Sequence, residues 1–106
     1  MADAASVLYL TCATKQEAEV IARALLDRRL IACASATQVE SWFLWDGETE
    51  TSHETLLIMK SRQGLFDDVN TVVADLHSYN TYVLEEVLVN TLSEGASAWL
   101  HKMLKK

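Results

Sequence analysis

The spacing of apolar residues changes several times along this chain, and each change marks an element. SVLYLTCA, Ser6 to Ala13, is rich in β-branched and aromatic residues and predicts a strand. Thr14-Lys15-Gln16-Glu17 follows with the Thr-x-x-Glu spacing of a capping box: the hydroxyl accepts from one free helix amide and the glutamate reaches back to another. Ala18, Ile21, Ala22 and Leu25 then recur at helical spacing, with Arg28 and Arg29 at the negative end of the helix dipole. From Ile31 to Trp45 no helical period survives, and ESWFLW runs into Asp46-Gly47, a strong hairpin signal. Glu48 to Lys60, which contains TLLIMK, predicts the partner strand of a long hairpin. Leu65, Val69, Val72, Val73 and Leu76 form one stripe of a second helix, with Asp67 and Asp68 at its positive end. VLEEVLV, Val83 to Val89, predicts a fourth strand, and Ala96, Trp99, Leu100 and Met103 give a short terminal helix one apolar face.

The order is βαββαβ with an extra C-terminal helix. Short loops and the preferred hand of helical crossovers turn this into an α+β, ferredoxin-like domain with a four-stranded antiparallel sheet and two helices on one face. Such a sheet should alternate apolar and polar residues, because only one face is covered. Here VLYL, WFLW, LLIM and VLV are each apolar at consecutive positions, so both faces carry bulky side chains. Burying a leucine or isoleucine is worth ~1.5–3 kcal/mol, and a wetted second face of that size is costly. Another copy of the chain, covering the open face and the end of the hairpin, is the simplest remedy. Trp42, Phe43 and Trp45 are the expected interface anchors. The competing arrangement folds the terminal helix over that face, but its stripe is narrow for four strands.

Length and composition narrow the choices. At 106 residues, half of them hydrophobic, the chain fits one domain, residues 1–106, able to bury a core. The formal charge of −6 and the lack of a Lys/Arg cluster argue against nucleic acid and anionic membranes as partners. MADAASVLYL has no basic stretch followed by a long apolar run, so no secretory signal is expected, and no apolar run approaches bilayer length. Two cysteines are too few for a disulfide scaffold and point to a reducing cytoplasm.

RRLIACASATQVESWFLWDG followed by ETLLIMKSR resembles the signature region of the CutA family, small trimeric proteins linked to divalent-cation tolerance. The residues that carry the likeness are Arg29-Leu30-Ile31-Ala32-Cys33, Trp45-Asp46-Gly47 and Leu57-Ile58-Met59-Lys60, with a weaker echo in Ala98-Trp99-Leu100. The likeness spans about residues 5 to 104. The family usually carries His-Pro-Tyr-x-x-Pro-Glu before its fourth strand. This chain has His77-Ser78-Tyr79-Asn80-Thr81-Tyr82-Val83, keeping the histidine and a tyrosine without the prolines or the glutamate. Rigid turns thus become flexible ones, and a carboxylate that could serve as ligand or base is missing.

The resemblance implies a homotrimer with a role in response to divalent metal ions, and a metal site near the end of the first strand that uses His77. Imidazole suits copper and zinc, and a cysteine thiolate suits Cu(I), so copper held by His77 with Cys12 is the expected set. Where some relatives have a strand-end cysteine this chain has Thr11, and Cys12 beside it faces the other way. The competing role for His77 is capping the second helix through its last carbonyls. Tyr79, Tyr82, Cys33 and Lys60 are expected to line a cleft between subunits; Tyr79 and Tyr82 fit interface packing equally, and Cys33 also fits a small buried hydrophobe. His53 reads as solvated, His101 lies on the polar side of the last helix, and the acidic set Asp46, Glu48, Glu50 and Glu54 either attracts cations loosely or is a solvated face. No nucleophile elbow, phosphate loop, dinucleotide fingerprint or HExxH is present, so the chain is not expected to be an enzyme, although a Cys–His dyad of Cys12 or Cys33 with His77 stays open. A second functional reading is a signalling or scaffold trimer shaped like the PII proteins, binding a small metabolite or a partner protein in the same clefts.

Overall fold

A computed structural model describes residues 3–106; Met1 and Ala2, the first residues of the stretch expected to lack a signal, lie outside the described residues. The elements are β1 (Ala5–Cys12), α1 (Lys15–Asp27), β2 (Cys33–Trp45), β3 (Glu48–Arg62), α2 (Phe66–Leu76), β4 (Leu84–Leu88) and α3 (Glu94–Met103). The sheet order is β2-β3-β1-β4 with every neighbouring pair antiparallel, the ferredoxin-like arrangement expected from the element order.

Alternation along β1 and β3 separates the two faces. Leu8, Leu10 and Cys12 pair with Met59, Leu57 and Thr55, and all six are buried on the helix side. Ile21 and Leu25 of α1, Val69 and Val73 of α2, and Leu100 of α3 join the same core. Each apolar side chain hidden this way stabilises the fold by ~1.5–3 kcal/mol, enough to fix the register of the central strands. Tyr9, Ile58 and Leu56 point to the opposite, open face, where they are only half-buried.

The terminal helix does not close the part of that face nearest the hairpin. Its His101 Nε2 lies 2.7 Å from the Asp3 carbonyl, and the Arg62 guanidinium donates to the Lys105 carbonyl at 2.7 Å. These bonds fix α3 at the end of the sheet where β1 begins. The hairpin tip projects from the other end. β2 and β3 stay paired from Cys33–Lys60 out to Trp45–Glu48, whereas β1 reaches only Thr55 of β3. Beyond that point two strands run without a third, and the molecule measures 46 × 25 × 21 Å. The turn is built as its Asp-Gly sequence predicts, with positive φ at both Asp46 (50°) and Gly47 (79°), which matches the strand twist.

Candidate functional site at the end of the first strand

The C-terminal end of β1, the N-terminus of α1 and the loop after α2 meet at one point. Thr14 caps α1 as its spacing predicts, accepting from the Glu17 amide at 3.1 Å. Glu17 departs from the standard box. Its Oε2 accepts from the Ala13 amide at 2.8 Å, one residue before the cap, and from the Ser78 hydroxyl at 3.1 Å. Its Oε1 accepts from the Ser78 amide. Burial opposes charge on this carboxylate, but the Ser78 and Ala13 amides outweigh burial and hold its pKa below the ordinary glutamate value. A carboxylate does therefore stand at this site, supplied by α1 and not by the loop before β4.

His77 follows the last turn of α2, and its side chain is 0 % exposed. Its Nδ1 accepts from the Tyr79 amide at 3.0 Å, so that nitrogen carries no proton. Nε2 then bears the hydrogen and donates to the Thr11 carbonyl of β1 at 2.9 Å. Glu17 Oε1 also lies 3.4 Å from Nδ1. Tyr82 stacks on the imidazole at 5.1 Å between centroids and Tyr79 tilts against it at 4.8 Å. The expected capping of helix carbonyls by the ring is corrected here: only the His77 backbone amide bonds α2, at Val73, while the ring reaches β1.

Cys12 faces the helix layer and is fully buried. Burial, then the charges of Glu17 and Glu54, push its thiol pKa up to about 12. Without a metal beside it, this thiol stays in its protonated, weakly nucleophilic form. The residues therefore do not fit a resident metal at His77 and Cys12: both ring nitrogens are engaged by backbone groups, and Cys12 is buried on the helix side of the sheet. Among the described residues no group of three or more His, Cys, Asp and Glu side chains is placed to hold an ion.

An open groove of about 930 Å³ runs from this junction along the open sheet face toward the hairpin tip. Tyr9, Thr11, Tyr79, Phe43 and Trp45 line it together with Glu50, Glu54 and Glu85. Tyr79 lines this groove of the single chain. Glu54, only 7 % exposed, accepts from the Tyr79 hydroxyl at 2.8 Å, and burial with this carboxylate raises the Tyr79 pKa to about 12. Tyr82, Cys33 and Lys60 do not line this groove of the single chain. Tyr82 turns away to donate to Asn70 of α2 at 2.6 Å. Cys33 and Lys60 pair with each other toward the opposite end of the sheet, because register and not sequence proximity sets their position. None of the groove residues is Lys, Arg or His, so the cations that hold nucleotide phosphates in PII-type clefts are missing from it.

Sequence reasoning did not single out Glu17 for the site, and it placed Glu54 in a solvated set, whereas Glu54 is buried against Tyr79. Glu17 had a signal, its place three residues after the cap. Glu54 had only its parity on β3, which places it on the open face beside Tyr79.

This geometry defines a class: a ferredoxin-like domain that uses its polar cluster to lock a loop to a strand and leaves an apolar arm uncovered. Similarity to known proteins makes it specific. The profile of the CutA1 divalent ion tolerance proteins matches residues 6–103, and the chain belongs to that family. The divalent-cation tolerance protein CutA of Pyrococcus horikoshii is 29% identical over 100 residues, covering 94% of this chain and 98% of its own. The solved structure of the periplasmic divalent cation tolerance protein CutA from Archaeoglobus fulgidus overlays with a TM-score of 0.93 at 29% identity, covering 95% of this chain and 99% of that one. CutA1 from Oryza sativa overlays at 0.94 with 25% identity, covering 98% and 96%.

Proposed function

We propose that the protein acts without a catalytic step in tolerance of divalent metal ions, as a homotrimer in the cytoplasm. The observation that carries the assembly is the bare arm. Trp42, Leu44 and Trp45 are 66, 77 and 53 % exposed on a ribbon of two strands, and such a ribbon is at best marginally stable in water. Val83 and Val87 add exposed apolar surface on and beside the edge strand. Another copy covering both regions removes that cost. The family resemblance supplies the number three and the link to metal ions. Two free thiols fit a reducing compartment.

Sedimentation velocity at micromolar concentration is expected to give a species three times the 11.8 kDa chain mass. A well-behaved single-chain species would overturn the assembly. Cells lacking the protein should lose tolerance to copper and other divalent ions, with wild type restoring it and an arm variant failing to do so. Unchanged tolerance in the deletion strain would overturn the cellular role. Copper binding through His77 and Cys12 forms no part of this reading, because both His77 ring nitrogens are engaged and Cys12 is buried on the helix side of the sheet.

A further inference from the structure

We infer that His77 is a positioning residue in place of a metal ligand: its imidazole, fixed as the neutral Nε2–H tautomer, fastens the loop Ser78–Tyr82 to the end of β1 and so sets Tyr79 against Glu54. This role involves only residues of one chain and holds whether or not the trimer forms. A ligating histidine offers one ring nitrogen lone pair to the metal while the other N–H is held by the protein. Here neither nitrogen is available. Nδ1 spends its lone pair on the Tyr79 amide, and Nε2 spends its hydrogen on the Thr11 carbonyl. Metal at Nδ1 would orphan the Tyr79 N–H; metal at Nε2 would orphan the Thr11 carbonyl and force the other tautomer. The ring is also fully enclosed, with Tyr82 stacked on it and Tyr79 tilted against it.

The loop explains why a histidine is kept for such work. It contains no proline to restrict its backbone. Side-chain bonds supply that restriction. Ser78 is held by Glu17, Tyr79 by His77 and Glu54, and Tyr82 by Asn70, so the loop is tied to α1, β1, β3 and α2. Among these side chains, the His77 ring joins an amide of the loop to a carbonyl of β1. It needs the neutral form to do so, since an imidazolium cannot accept from Tyr79.

Long-range ¹H–¹⁵N spectra of the uniformly labelled protein at neutral pH report the tautomer. We expect His77 to show a protonated Nε2 and an unprotonated Nδ1. These signals should stay unchanged when one equivalent of zinc per chain is added, and should not broaden ahead of those of His53 and His101 when sub-stoichiometric copper(II) is added. His77→Ala should bind copper as wild type does by titration calorimetry, while hydrogen exchange of the Tyr79 amide accelerates at least ~10-fold as its acceptor is lost. The wild-type spectra decide the matter even if that variant fails to fold. A protonated Nδ1, a stoichiometric zinc shift of either ring nitrogen, selective early broadening of His77 by copper, or loss of a copper site in a folded His77→Ala would each overturn the inference. Sedimentation of the same samples separates this result from the fate of the trimer.

Discussion

Two regions of this molecule invert the usual placement of side chains, and they do so in opposite senses. The hairpin tip carries Trp42, Phe43, Leu44 and Trp45 into solvent. The junction at His77 takes imidazole, phenol and carboxylate groups inside, with Glu54 only 7 % exposed and the His77 ring fully enclosed. The inversions are resolved differently. At the junction each polar group finds a partner in the same chain: His77 with Thr11 and Tyr79, Glu17 with Ala13 and Ser78, Tyr79 with Glu54, Tyr82 with Asn70. Hydrogen bonds are directional and short, so they close within a protomer. The arm has no third strand from its own chain to cover it, and non-directional apolar surface can be satisfied by any complementary copy. Buried polarity here serves internal rigidity, and exposed apolarity serves assembly.

The comparison breaks most easily at the arm. Leu44→Glu combined with Trp45→Glu should release single chains, each substitution costing about 2–4 kcal/mol of association if these residues anchor the interface. Sedimentation reads the mass, and far-ultraviolet circular dichroism should stay close to wild type. Survival of a threefold mass in the double variant would remove the arm from the interface.

The junction should respond in stability and not in assembly. Glu17→Ala leaves the Ala13 amide and the Ser78 amide and hydroxyl without their acceptor. Stranded donors of this kind cost about 1 kcal/mol each after partial rehydration, so the expected loss is about 3 kcal/mol. Chemical denaturation at fixed protein concentration measures that loss, and an unchanged midpoint would mean the carboxylate holds nothing. The pH dependence has a definite sign. The Glu17 pKa is lowered on folding, so its contribution is present above the unfolded value of about 4.3 and is lost as pH falls through the lower folded value. The stability gap between wild type and Glu17→Ala should therefore be full at pH 7 and shrink under acid, with the trimer mass of Glu17→Ala unchanged at pH 7.

Two smaller changes lie in neither region and calibrate both. Arg29 sits in the left-handed region at φ 56°, where its amide bonds Leu26 and the next amide bonds Leu25, a helix ending that favours glycine. Arg29→Gly should stabilise the fold by about 0.5–1 kcal/mol, read from the denaturation midpoint; a loss of stability would show that the Arg29 side chain matters more than its backbone. The exposed pair Glu19–Arg23, 2.9 Å apart, should matter least, with Arg23→Ala costing less than ~0.5 kcal/mol in the same assay. A larger cost there would mean that α1 is more sensitive than its burial implies.

Most of the fold was legible in the sequence because it depends on short-range signals. The Thr14 cap, the Asp46-Gly47 turn and the period of the apolar residues each act within a few positions, and the elements they predict lie within a few residues of those found. The site was legible in part. Its place at LHSYNTY, near the end of β1, could be read, and the alternation that turns Cys12 away from Thr11 could be read as well. The partners could not, because Glu17 and Ser78 are 61 residues apart and Tyr79 and Glu54 are 25 apart. The pairing of Cys33 with Lys60 was not legible for the same reason: nothing local states which end of a sheet a residue occupies.

By itself the sequence determined the elements, their order and the surplus of apolar residues on both sheet faces, since propensity and periodicity are properties of neighbouring positions. Only the tertiary structure decided the state of His77. Whether a histidine binds metal, caps a helix or pins a loop depends on which donors and acceptors surround its two nitrogens. Those groups, the Thr11 carbonyl above all, arrive from distant parts of the chain only when the sheet has formed.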